Sequence, residues 1–449
     1  MAIKNHRTIY KVLFILIATV ICAHAQTSYP TKSIEPYLDL QLTDPERNSL
    51  MDNLKQFQES YQAMHAYMLD NSISPALVFD PLPYGIKDLL SVEGTKTTWG
   101  ATPYKDQTIN TTATVVKKLN DAGAVLVAKL TMGALAWGDI WYGGVTKNPW
   151  NLKQGSSGSS AGSASSTGAG LVAFSIGTET LGSIVSPSTR CGVTGLRPTF
   201  GRVSRHGAMA LSWSMDKIGP ICRSVLDCAI VFDAIRGSDG NDKAVKNAAF
   251  NYDSKVDIKK LKVGYLKSQF ESKYNNRAND SIALNILRSL GVQMQPIELS
   301  TDLPVNALSV ILSAEAGAAF DELTRSNRDS LLTVQRKQAW PNSFRSSRFI
   351  PAVEYINANR IRQQLIEKYY ALTKDYDVIV APSFGGNQLL MTNLTGHPCL
   401  VMPNGFNNQG SPASISLLGK LFGEAELIAL GRAYQEASEW DEKRPDLFK

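Results

Sequence analysis

Two stretches of small residues carry most of the chemistry this chain could perform. They are Gly155-Ser-Ser-Gly-Ser-Ser-Ala-Gly-Ser163 and Gly177-Thr-Glu-Thr-Leu-Gly-Ser-Ile184. Composition alone would make the first a flexible linker. An ordered-looking apolar segment, Gly170-Leu-Val-Ala-Phe-Ser-Ile176, follows at once, and a linker has no use for one. Small residues let backbone come close to a substrate, and serine hydroxyls can serve as nucleophiles. The pair therefore reads as the floor of an active site.

Local motifs give that floor two specific readings. A phosphate-binding loop would end its glycine run in Gly-Lys-Ser or Gly-Lys-Thr, and this run does not. Gly158-Ser-Ser-Ala-Gly162 does satisfy G-x-S-x-G, which would make Ser160 a nucleophile and leave His397 as the downstream base. In so dense a run of Ser and Gly the match is cheap. The preceding Asn148-Pro-Trp-Asn-Leu-Lys-Gln154 is also not the apolar strand that such an elbow requires.

The elements that must position these residues alternate between helix and strand. Residues 112–122 read as a helix closed by Gly123, and 124–130 as a buried-type strand, an αβ step of layered α/β proteins. Residues 81–90 read as a short strand leaving a proline turn, with Lys87 between Ile86 and Leu89-Leu90. Taken locally, such a lysine is a solvated edge residue. Residues 224–236 read as a helix, 261–299 as a strand–helix–strand unit, and 314–372 as mostly helical with a break near Pro341. Strands at 376–382 and 399–403 and an amphipathic helix at 423–440 complete the chain. Apolar residues at helical spacing over 44–69 predict a helical N-terminal arm. No linker-like gap interrupts residues 26–449, which read as one large α/β domain.

Residues 1–25 stand apart. Lys4, Arg7 and Lys11 precede an apolar run from Val12 to Cys22, and Ala23-His24-Ala25 supplies a small-x-small cleavage pattern, so they read as a secretory signal with Gln26 as the mature start. The run of about 11 residues is too short to span a bilayer, which needs roughly 20. Removing the segment lowers the net charge from +6 to about +3, too little to argue for nucleic acid. Cys191, Cys222, Cys228 and Cys399 remain, in a spacing that matches no zinc pattern. Cys222 and Cys228, six apart on one expected helix, should not meet, and an oxidising compartment leaves a bridge open.

Taken together, the motifs resemble the amidase signature family. The resemblance rests on Gly158-Ser-Ser-Ala-Gly-Ser163, Gly177-Thr-Glu-Thr-Leu-Gly-Ser-Ile184 and Cys191-Gly-Val-Thr-Gly-Leu-Arg-Pro198. Asp216-Lys-Ile-Gly-Pro220, Asn393-Leu-Thr-Gly-His-Pro398 and Gly85-Ile-Lys-Asp88 extend it over roughly residues 40–440. It implies a large mixed β-sheet covered by helices on both faces. It also implies a catalytic set of Ser183 as nucleophile, Ser159 on a cis peptide as proton bridge, and Lys87 as general base. Oxyanion and substrate contacts would fall on Thr180, Leu181, Gly182 and Met132, with no metal or cofactor.

The resemblance is imperfect where specificity would be set. The family commonly has Asp-x-Gly-Gly-Ser-Ile-Arg, whereas Glu179-Thr-Leu-Gly-Ser-Ile-Val185 stands here, so Glu179 needs another partner than an arginine at 185. The chain is also similar to the amidase subunit of tRNA-dependent amidotransferases, which work where tRNA is. A signal segment argues instead for an exported hydrolase of small amides or peptide amides. On that expectation the partner is a small-molecule amide, without nucleic acid or, after cleavage, membrane; a homodimer is left open.

Overall fold

The computed structural model describes residues 31–65 and 82–448, so the expected signal at 1–25 lies outside the described residues. Contacts divide the chain into two units, Met1–Phe79 and Asp80–Lys449. In the first, the short helix Glu35–Leu38 precedes α1 (Asp44–His65), which begins where the periodicity placed it. Arg47 joins the two, 2.7 Å from Glu35 and 2.6 Å from Asp44. The last residues of the expected arm, 66–69, lie outside the described residues.

The second unit is built on a ten-stranded mixed sheet flanked by helices. Its strands are β1 (Pro83–Lys87), β2 (Val125–Leu130), β3 (Phe174–Glu179), β4 (Thr194–Arg197) and β5 (Lys217–Cys222). They continue as β6 (Val263–Leu266), β7 (Met294–Ile297), β8 (Val378–Pro382), β9 (Cys399–Phe406) and β10 (Pro412–Gly419). Across the sheet they run β7-β6-β8-β10-β9-β4-β5-β3-β1-β2. The two ends are parallel and the middle is antiparallel. Every residue of β3, β5 and β10 is buried, as expected of strands covered on both faces.

The structure corrects two local readings. β2 is the sheet's last strand rather than a buried one, with Val125 44% and Val127 53% exposed, because among the described residues only β1 pairs with it. The mostly helical stretch does break near Pro341, over residues 332–339, and Pro341 itself lies in the first turn of the next helix, Trp340–Ser347, where its missing N–H costs nothing. Cys222 ends β5, while Cys228 lies on the helix Val225–Ile235 that Ser224 caps. The strand-to-helix turn brings the thiols together, and burial, then the neighbouring Cys228 thiol, push the Cys222 thiol well up. Both are free and buried.

Candidate active site

Strand pairing sets the first distance in the site. β1 and β3 run parallel with Ile86 opposite Ile176, so Lys87 falls beside the residues that follow Ile176. Lys87 has no exposed surface, so it is a core residue and not the edge lysine that its local sequence suggests. Its Nζ lies 2.7 Å from Ser159 Oγ, 2.8 Å from Thr178 Oγ1 and 3.1 Å from Ser160 Oγ. Loss of water disfavours the ammonium and lowers the pKa to about 7, although Asp216 and Glu179 pull the other way. A neutral amine donates two hydrogen bonds and accepts one, which is what a base must be able to do.

The identity of the accepting serine follows from the hydroxyls themselves. Ser160 Oγ donates to the Thr178 carbonyl at 3.0 Å and accepts the Thr178 N–H at 3.1 Å, so its proton is committed. Ser159 Oγ has no such second partner among the described residues and is the hydroxyl placed to exchange a proton with Lys87. The Gly158–Ser159 peptide is cis. Glycine is required before it, because a Cβ on Gly158 would stand 1.8 Å from the Gly138 carbonyl oxygen. The Ser159 carbonyl accepts the Gly133 N–H at 3.3 Å, which stitches the Met132–Gly133 segment to the turn. Met132 itself is fully buried in the main hydrophobic core.

Ser183 arrives on a second turn, between β3 and the helix α2 (Val185–Cys191). Its carbonyl accepts the Ser160 N–H at 3.2 Å, which fixes it beside the Ser159 turn through main chain. The residue is 8% exposed, and its hydroxyl makes no hydrogen bond to a described residue. The expected hydroxyl contact from Ser183 to Ser159 is thus the one link of the relay not closed. Gly182 takes φ +83°, a conformation that glycine adopts at no steric cost. The N–H groups of Leu181, Gly182 and Ser183 donate to no described residue, whereas those of Ile184 and Val185 are both taken by Glu179, at 2.8 and 3.0 Å. Consecutive free donors on one tight turn are what a developing oxyanion needs.

Glu179 finds its cation in Arg197, 2.6 Å away with both side chains wholly buried. Asn393 donates to the same oxygen at 2.9 Å. Burial alone would raise this carboxyl, but Arg197 and Asn393 outweigh it and hold the pKa at about 2. Thr180 does not aim its hydroxyl at the turn; it donates to Asp216 at 2.5 Å, and Asp216 also accepts the N–H groups of Leu211 and Ser212. Thr178, Arg197 and Asp216 were not among the expected site residues. Each sits in a motif that carried the resemblance, so spacing held the signal without revealing their partners.

The His397 ring bonds neither Lys87 nor the serine hydroxyls, and the residue's carbonyl accepts from Arg197 at 3.1 Å. Its ring bonds Thr395 at 2.7 Å and packs on Tyr369, and burial lowers its pKa to about 4. The elbow reading with Ser160 as nucleophile therefore lacks its histidine base. Among the described residues no three His, Cys, Asp or Glu side chains group as metal ligands.

Known proteins resemble the chain in sequence and in fold. The family profile described as Amidase matches residues 33–390. A glutamyl-tRNA(Gln) amidotransferase subunit of Roseiflexus sp. (strain RS-1) is 32% identical over 86% of this chain and 88% of its own length. The solved structure of the corresponding Thermotoga maritima protein superposes with a TM-score of 0.68 at 25% identity, covering 92% of this chain and 96% of that one. Native peptide amidase from Stenotrophomonas maltophilia gives a TM-score of 0.69 at 26% identity, over 82% and 84% of the two chains. With its motifs in order, its mixed sheet and a match over most of its length, the chain belongs to the amidase signature family.

Proposed function

We propose that the protein is an exported amidase that cleaves carboxylic amide C–N bonds through an acyl-enzyme on Ser183. The observation that carries this reading is Lys87, buried, with a pKa near neutrality and 2.7 Å from Ser159. As Ser183 attacks the carbonyl, its proton passes to Ser159 and the Ser159 proton to Lys87. The N–H groups of Leu181, Gly182 and Ser183 receive the oxyanion. Lys87 then protonates the leaving amine, and water, activated through the same relay, releases the acid.

Export is supported by the charged, apolar and small-x-small order of residues 1–25. A second reading, the amidase component of a glutamyl-tRNA(Gln) amidotransferase, is favoured by the 32% identity to such a protein over 86% of this chain. One experiment separates them. The purified mature protein alone should release ammonia or amine from a panel of primary, peptide and cyclic amides, and Ser183→Ala should not. Release that appears only with glutamyl-tRNA and further subunits would establish the second reading, and a protein retained with residues 1–25 attached would overturn export.

A further inference from the structure

A cavity of about 220 Å³ adjoins the catalytic strands. Thr178 and Thr180 form one wall, and Leu89, two residues beyond Lys87, forms another. The facing segment is stitched to the lysine's strand, since Met209 N–H donates to the Leu89 carbonyl at 3.0 Å and Leu90 bridges Ala208. The remaining lining mixes apolar residues, among them Met209, Leu211, Trp213 and Ile218, with polar ones that include His206 and Asn241.

The charged side chains around the cavity are engaged inside the protein. Arg205 pairs with Asp242 at 2.8 Å and donates to the Trp213 carbonyl at 2.6 Å. Lys217 Nζ donates to the Met215 carbonyl, and Asp216 holds Thr180, Leu211 and Ser212. No charge among these is left over to greet an ionic ligand.

Trp213 is the exception to this enclosure. It is 53% exposed and belongs to the wall of this cavity and of a second one of about 680 Å³. Its backbone is nonetheless held hard on both sides. Glu315 accepts the Ser212 hydroxyl and the Ser214 N–H and hydroxyl, and Arg362 donates to the Ser214 carbonyl at 2.9 Å. A half-exposed indole on so fixed a segment is pre-organised to contact something that enters.

We propose that Trp213 and this cavity seat a ring-sized, uncharged apolar group of the amide substrate. The proposal rests on the amidase reading above and names its substrate class. Size supports it, because an apolar cavity of about 150 Å³ accommodates benzene. The group can lie on the acyl or on the amine side of the scissile bond.

The test is protection of Ser183 from a small alkyl fluorophosphonate by acetamide, phenylacetamide or N-benzylacetamide, in the native protein, Trp213→Ala and Trp213→Phe. At least one ring-bearing amide should protect the native protein, and Trp213→Ala should weaken that protection by about tenfold, the scale of an aromatic pair with its buried area. Trp213→Phe should keep most of it, and acetamide should not distinguish the three. Phenylacetamide as the sensitive compound puts the group on the acyl side, N-benzylacetamide on the amine side. Equal protection by all three amides, or no change in Trp213→Ala, overturns the proposal. Unprotected labelling at the native rate shows that the variants are folded. Failure of Ser183 to label in the native protein sinks the amidase reading itself.

Discussion

Lys87 Nζ and Ser159 Oγ, 72 residues apart in sequence, lie 2.7 Å apart at a point that water does not reach. Lys87→Ala should lower kcat/KM by about 10²–10⁴-fold, the usual contribution of a placed general base. The base is the neutral amine, so native kcat/KM should rise with pH through about 7 and level above it. Steady-state kinetics across roughly pH 5–9 will show this, and a limb near 7 that survives in Lys87→Ala would reassign the base.

The same lysine ties stability to pH. Folded, it gives up its proton near 7; unfolded, it holds it to the ordinary value of 10.5. Between those limits the unfolded chain binds more protons, so this residue makes the native protein more stable as pH rises. Urea midpoints of Lys87→Met should therefore rise less between about pH 7 and 10 than those of the native protein.

Removing the charge of Glu179 strands Arg197 without a counterion in the core. Glu179→Gln should destabilise the fold by about 3–5 kcal/mol, the cost of breaking a buried pair from one side. The native carboxyl, at about 2 against an ordinary 4.5, contributes stability that is complete above 4.5 and lost as pH falls through 2. Acid unfolding of Glu179→Gln should lack that component.

Gly158→Ala should be far more damaging than its size suggests. The added methyl would meet a main-chain oxygen of Gly138 at 1.8 Å, and neither backbone can rotate away as a side chain could. Soluble protein with loss of Ser183 labelling, or failure to fold, is the expected outcome; native-level labelling would show that the turn is softer than this contact implies.

The two serines of the proposed relay were legible because they lie in short motifs whose spacing is fixed by local turns. Lys87 was legible only through those motifs. By its own neighbours it looked like an edge residue, since burial by β3 comes from a segment far along the chain. The strands β4, β5 and β10 went unread for a related reason. Each carries Gly, Pro, Lys or Arg where alternation would call for apolar residues, and their burial is imposed by the sheet rather than announced by composition. The opposite error was made with β2, whose apolar run gave no hint that one side of the strand would lack a neighbour.

The sheet order has a practical corollary. Lys87 is supplied by β1, and Ser159 and Ser183 by the segments on either side of β3, so on the proposed mechanism Ser183 is primed only in molecules whose strands have come together. A stoichiometric label on Ser183 would then count correctly assembled molecules in a preparation, independently of how much polypeptide is present.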